Sequence, residues 1–153
     1  MGLTYSAWRA MSAVPGGRTA FTRAVCVRAP YFGSISPHVQ ELRPGYCEVR
    51  APIRRAVHNH LGTFHAIAMC NLAELAMGML AEATVPDSHR WIPIGMTVSY
   101  LAKARTDLRG IAALDPLPTF EDSALDIPVP VSVLDKDDVE VFTALITVRV
   151  APR

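Results

Sequence analysis

The feature that most constrains this chain is the stretch from about Phe64 to Thr84, which contains no proline although the chain has 12. It is rich in Ala, Leu, Met and Glu, the strongest helix formers, and Pro86 ends it. The helix it predicts is apolar nearly all round, except for a narrow stripe of Asn71, Glu74, Gly78 and Glu82 at three- and four-residue spacing. A helix with almost no polar face has to be wrapped by other structure. A membrane is not the expected wrapper, because Asn71, Glu74 and Glu82 interrupt the apolar run from Ala66 to Ala83.

The flanking sequence supplies the wrapping. From about Gly33 the pattern is strand-like, with GSISPHVQEL and YCEVRAPIRRAV separated by Arg43-Pro44-Gly45, a turn signal. Pro37 and Pro52 each remove a ladder donor, which places them at edges, bulges or strand ends. After the helix, Met96, Val98 and Tyr100 alternate with Thr97 and Ser99, the mark of a half-buried strand, and LRGIAAL follows as another. DIPVPVSVLD and VEVFTALITVRV flank Lys136-Asp137 as a hairpin. Two strands, one buried helix and about four more strands predict an α+β fold, a long helix wrapped by a curved, mainly antiparallel sheet of about six strands. Ahead of this, helix-compatible stretches at roughly residues 4–13 and 18–28 form an N-terminal helical segment, residues 1–32, docking on a domain of residues 33–153.

Composition narrows the partners. With 15 basic and 14 acidic residues the formal charge is +1, so no polyanion such as nucleic acid is expected. Cys26, Cys47 and Cys70 are odd in number and lack metal-ligand spacing, which predicts buried apolar thiols in a reducing cytoplasm. The first residues have no positive start followed by a long apolar run, so no signal peptide is expected.

The informative polar segment runs from Asn59 through Gly62, Thr63 and His65 into the helix at Ala66. A helix start carries unpaired N–H groups and the positive end of the dipole, suited to a developing oxyanion, and the Ala66 amide is the candidate donor. Asn59 adds a neutral amide donor. Glu74, among Met, Leu and Ala, faces a cleft, a partner or water. In a cleft it would act as general base on water or as a nucleophile. Otherwise it joins Asn71 and Glu82 on a solvated helix face. His58, His60 and His65 cluster without a carboxylate partner, so no metal site is predicted.

The string N-x-x-G-T-x-H over Asn59–His65, with Glu74 nine residues after the His, resembles the hotdog-fold thioesterases of the phenylacetate-pathway type. Within that superfamily the sequence is most similar to a poorly characterised DUF4442-like branch. The resemblance, extending to MTVSYLAKA and covering roughly residues 33–150, implies the hotdog fold and hydrolysis of an acyl-CoA thioester as substrate, with no cofactor. It implies a site of Asn59, His65, the Ala66 amide and Glu74, placed between subunits of a homodimer or a dimer of dimers. Gly62, Thr63 and Thr97 are then candidate substrate contacts, and Lys103 and Arg105 candidate partners of the coenzyme A phosphates. Two departures stand out: His65-Ala66-Ile67 replaces the family's common His-Gly-Gly, and Pro93 stands near a position where some relatives supply a hydroxyl. The alternative reading is a non-catalytic module that binds acyl-CoA or an acyl chain.

Overall fold

A 19-residue helix, α3 (Ala66–Thr84), is the axis of the structure, a computed structural model that describes residues 2–153. Its start is set by His65, whose extended backbone and side chain cap the first turn, with Ile67 N–H donating to His65 Nδ1 at 3.1 Å. Its end follows from Pro86 two residues on, with Val85 N–H closing the last turn onto the Ala81 carbonyl. Two helices precede it, α1 (Leu3–Ser12) and α2 (Gly17–Arg28), then a 3₁₀ turn over Pro30–Ile35. Six strands complete the chain: β1 (His38–Arg43), β2 (Tyr46–Ala51), β3 (His89–Tyr100), β4 (Leu108–Ala113), β5 (Leu125–Leu134) and β6 (Glu140–Pro152). They form one antiparallel sheet in the order β1-β2-β4-β5-β6-β3. The expected architecture, a long helix wrapped by a curved sheet, is the observed one.

Packing explains the register. Leu72, Leu75, Met77 and Leu80 of α3 are fully buried in one cluster with Val49, Leu108, Val129 and Ile146 from four strands. The outward residues of β5 and β6 alternate with these, as a sheet with one covered face requires. Leu72 sits so close to β4 that a Cβ on Gly110 would lie 2.9 Å from its Cγ. The β1–β2 turn needs Gly45, whose φ is +74°, and its N–H donates to Thr84 Oγ1 at 2.9 Å while Thr84 Oγ1 donates to the Leu80 carbonyl. One turn thereby locks the end of α3 to the sheet. Pro128 and Pro130 are tolerated in β5 because β4 pairs only from Val131 onward, leaving β6 as the sole neighbour along their length.

The two sheet edges differ. At β1 the Val39 N–H is taken by Thr22 Oγ1 of α2 at 3.1 Å, and that hydroxyl donates to the Arg18 carbonyl, so a helix blunts this edge. At β3 no element of the described residues pairs with the free edge over its 12 residues. Ile92, Ile94, Met96 and Tyr100 are consequently exposed.

Three expectations are corrected here. Residues Gly33–Ile35 belong to the 3₁₀ turn, not to a strand, because Pro30 opens a tight turn whose Tyr31 carbonyl and Ser34 hydroxyl accept from Asn71 Nδ2. β3 is not half-buried, since an edge position leaves it one neighbour and Met96 is an exposed residue, not core. Only Cys47 is fully buried, where desolvation pushes its thiol far up, while Cys26 and Cys70 are half-buried. The N-terminal helices also supply core, with Trp8 and Phe21 buried edge to face at 5.2 Å.

Leu72→Ala should cost about 3 kcal/mol through lost burial and a residual cavity. Gly110→Ala alone should cost about 1–3 kcal/mol by overpacking. Because the added methyl would enter the space Leu72 vacates, the double variant should lose measurably less than the sum in urea unfolding.

Candidate functional site

The loop from Val57 to His65 is built by its own hydrogen bonds. Asn59 N–H donates to the Thr63 carbonyl, Gly62 N–H to the Asn59 carbonyl, and the Asn59 Oδ1 accepts from Leu61 and Thr63 N–H groups at 2.9 and 3.1 Å. Asn59 Nδ2 donates to Thr63 Oγ1 at 2.9 Å, which keeps the second Nδ2 hydrogen as its one spare donor. Gly62 turns the loop at φ +73°. Thr63 is buried as the acceptor of Asn59, so Asn59, Gly62 and Thr63 act first as the frame of the loop.

This frame is tied on both sides. His65 N–H donates to the Val57 carbonyl at 2.7 Å, and Phe64 N–H donates to the Ala104 carbonyl at 2.8 Å in the segment after β3. Asp107 secures the other end, accepting from Ile53 N–H at 2.8 Å and pairing with Arg50. Those two interactions, the Ile53 amide first, hold its carboxyl below the usual carboxylate range. The result fixes where α3 begins. At that point His65 Nδ1 is occupied by Ile67 N–H, whereas the Ala66 amide has no acceptor among the described residues.

The polar stripe of α3 is divided among three neighbours. Asn71 is buried and points to the 3₁₀ turn, donating to Tyr31 and Ser34 at 3.2 Å. Glu82 accepts from Trp91 Nε1 at 3.1 Å and from Thr4 Oγ1 at 2.5 Å, binding α3 to β3 and α1 together. Gly78 lies under Trp91, with 3.4 Å between a Cβ built there and the indole edge. Cys70 reaches β3 at its other end, its Sγ 3.5 Å from the Tyr100 hydroxyl, a contact that raises the Tyr100 phenol above its ordinary range. Between these anchors stands Glu74, half-buried and making no hydrogen bond or ion pair among the described residues. It belongs to an open strip of α3 with Ile67, which is 53% exposed, and Cys70.

The wall of the strip is the inner face of β3. Trp91, Pro93, Met96, Val98 and Tyr100 lie opposite Val150, Val148, Ile146, Ala144 and Phe142, which are buried, so these five point to the helix side of the sheet. Thr97 lies opposite the exposed Leu145 and so faces away from the helix, on the other side of the sheet from Glu74. Lys103 and Arg105 are exposed in the segment after β3, at the end of the strip where α3 begins. Beside that end, Tyr31, Ser34, Val57, His58, His65 and Asn71 line an open pocket of about 320 Å³. Trp91, Tyr100 and the 3₁₀ turn escaped the sequence reading because each meets α3 only through folding, from positions at least nine residues distant along the chain.

With this geometry, the comparison with known proteins becomes informative. Residues 17–150 match the model of a domain of unknown function, DUF4442. The chain belongs to the DUF4442 family. No curated protein matches it. This DUF4442 protein is similar to the crystal structure of a genomics target, with 45% identity, TM-score 0.84 and 98% of each chain covered. It is also similar to a protein from Pseudomonas aeruginosa described as a probable thioesterase, at 22% identity and TM-score 0.75 over 81% of this chain and 88% of that one. A thioesterase family protein from Silicibacter pomeroyi is a third neighbour, at 18% identity and TM-score 0.71 over 86% and 96% of the two chains. The fold is therefore the hotdog fold anticipated from Asn59–Glu74.

Because Asp107 anchors the loop leading into the site, Asp107→Ala should cost about 1 kcal/mol at pH 7. A carboxyl depressed by folding stabilises above its unfolded pKa, about 3.9, and that stability is lost as pH falls through the lower folded value. The difference between native and variant should therefore shrink below about pH 4, which urea titrations at pH 7 and pH 3 would reveal.

Proposed function

We propose that this protein hydrolyses a thioester of coenzyme A. The observation that carries the reading is the unpaired Glu74 carboxylate in an open strip whose far wall is an apolar, uncovered strand, on a helix whose first amide is free. The thioester carbonyl oxygen accepts from Ala66 N–H and from the spare Nδ2 hydrogen of Asn59, which stabilise the oxyanion as it forms. Glu74 takes a proton from water as the water oxygen bonds to the carbonyl carbon, or attacks that carbon itself. The C–S bond then breaks and the sulfur leaves as the thiol. His65 serves as the cap that orients the Ala66 amide, not as the base, since its Nδ1 is already engaged. The thioesterase descriptions of the Pseudomonas and Silicibacter neighbours support this reading.

We assign the two halves of the chemistry to different chains. Ala66 and Glu74 are eight residues apart on one helix, a rise of about 12 Å. That separation favours a carbonyl whose oxyanion donors and whose carboxylate come from different protomers over one served by a single helix. A second copy supplies the missing half. The bare β3 edge is the natural contact, because pairing it with another β3 would satisfy its free ladder groups and cover Ile92, Ile94 and Met96. Each site then takes Ala66 and Asn59 from one protomer and Glu74 from its partner. Lys103 and Arg105 mark the mouth that faces the coenzyme A phosphates.

One observation favours binding without turnover: Asn59 spends its carbonyl and one N–H on its own loop. Variants separate the two readings. Ala66→Pro deletes a single N–H at a first helical position that accepts proline, and His65 already has the extended backbone that proline demands of its predecessor. In a thiol-release assay over short, medium, long and aromatic acyl-CoA, Ala66→Pro, Glu74→Gln and Asn59→Ala should each lower turnover by about a hundredfold or more. Mixing folded Ala66→Pro with Glu74→Gln protomers should restore about a quarter of native activity, because half the random dimers carry one intact composite site of two. No restoration would place both groups in one chain, and native binding without thiol release would leave the binding module.

A further inference from the structure

We infer that Trp91 is the stop that sets how long an acyl chain the strip accepts, an assignment that rests on a thioester binding beside Glu74. The strip has two unlike ends. Toward the start of α3 it is the looser: Tyr100, which meets Cys70 Sγ at 3.5 Å, is itself half-exposed, Ile67 is half-exposed, and the segment bearing Lys103 and Arg105 is held there by Phe64 N–H on the Ala104 carbonyl. A charged carrier belongs at that end, and the uncharged acyl chain extends the other way, toward the end of α3. One helical turn beyond Glu74 in that direction, about 5.4 Å, stands Gly78, and the indole of Trp91 lies on it.

Trp91 is built to stay there. The ring edge lies 3.4 Å from where a Cβ on Gly78 would stand, an ordinary van der Waals distance, so a glycine or alanine there keeps the ring against the helix while a longer side chain would displace it. Glu82, another turn along, receives the indole N–H, and Thr4 of α1 donates to the other oxygen of the same carboxylate. Three elements thus hold a large flat ring across the path of an acyl chain. The inner β3 residues before the stop, Met96 and Val98, are apolar and able to take methylene groups. Glu82 is a positioning residue here, acting through Trp91.

The test uses non-hydrolysable S-alkyl thioethers of coenzyme A of increasing length, with affinity measured by calorimetry on the full-length native protein, Trp91→Ala and Trp91→Phe. Native affinity should rise by about fourfold per methylene to a cut-off and then level or fall. In Trp91→Ala the rise should continue for at least two more methylenes, a gain of about tenfold or more for the longer thioethers. Trp91→Phe, which keeps a ring against Gly78, should fold even if the alanine variant does not and should shift the cut-off part of the way. An unchanged cut-off in the folded variants overturns the assignment, and so does the absence of any thioether binding by the native protein. Binding with the shifted cut-off but no thiol release from acyl-CoA removes the hydrolase reading while Trp91 keeps its role.

Discussion

Everything in this structure depends on burying α3. A helix whose Leu72, Leu75, Met77 and Leu80 point to a core, and whose remaining surface is mostly Ala, Gly and Met, has no stable existence in water. The sheet curves around it because four strands must each place side chains against it. The β1–β2 turn and the N-terminal helices then lock its far end through Thr84 and Glu82. Among the described residues α3 is most open along the strip bearing Ile67, Cys70 and Glu74, because β3, at the sheet edge, touches it at Cys70 through Tyr100 and packs onto the helix again at Gly78 through Trp91, leaving Glu74 between. The candidate site is the place where the wrapping stops.

The asymmetry between the two edges of the sheet gives that opening its meaning. The β1 edge is capped by a threonine hydroxyl and a helix, a common way of preventing unwanted strand pairing. The β3 edge has apolar side chains on both faces and no strand or helix among the described residues along its free side. With one edge blunted and the other bare, strand pairing is open at β3 and not at β1. Pairing at β3 is what the proposed division of the site between protomers uses. Loop order contributes in the same direction: Asn59, Thr63, His65 and Asp107 use their polar groups to fix the first turn of α3, and fixed donors are worth more to a developing charge than mobile ones.

Much of this was legible in the residues. The proline-free run gave α3 to within two residues, Pro86 marked its end, and the Pro44-Gly45 and Lys136-Asp137 turns were found between the strands they join. The Asn59–Glu74 string led to the family. What misled was local pattern without neighbours: Gly33–Ser36 looks extended but belongs to a tight turn whose Tyr31 carbonyl and Ser34 hydroxyl accept from Asn71, and alternation in Met96–Tyr100 reports which face points inward without reporting whether anything lies on it. Thr97 was drawn toward the site by its position in the chain, yet strand alternation turns it to the opposite face.

By itself the sequence determined the buried helix, the strand count, the turns and the polar residues around the helix start, because each depends on periodicity, proline, glycine and capping, which act over a few neighbours. Only the tertiary structure decided which strand is bare, that the stripe on α3 is divided between the 3₁₀ turn, Trp91 and open space, and that Asn59 first builds its own loop. Those outcomes depend on which distant segments meet, and contacts between residues such as Thr4, Glu82 and Trp91 leave no spacing in the chain from which they could be read.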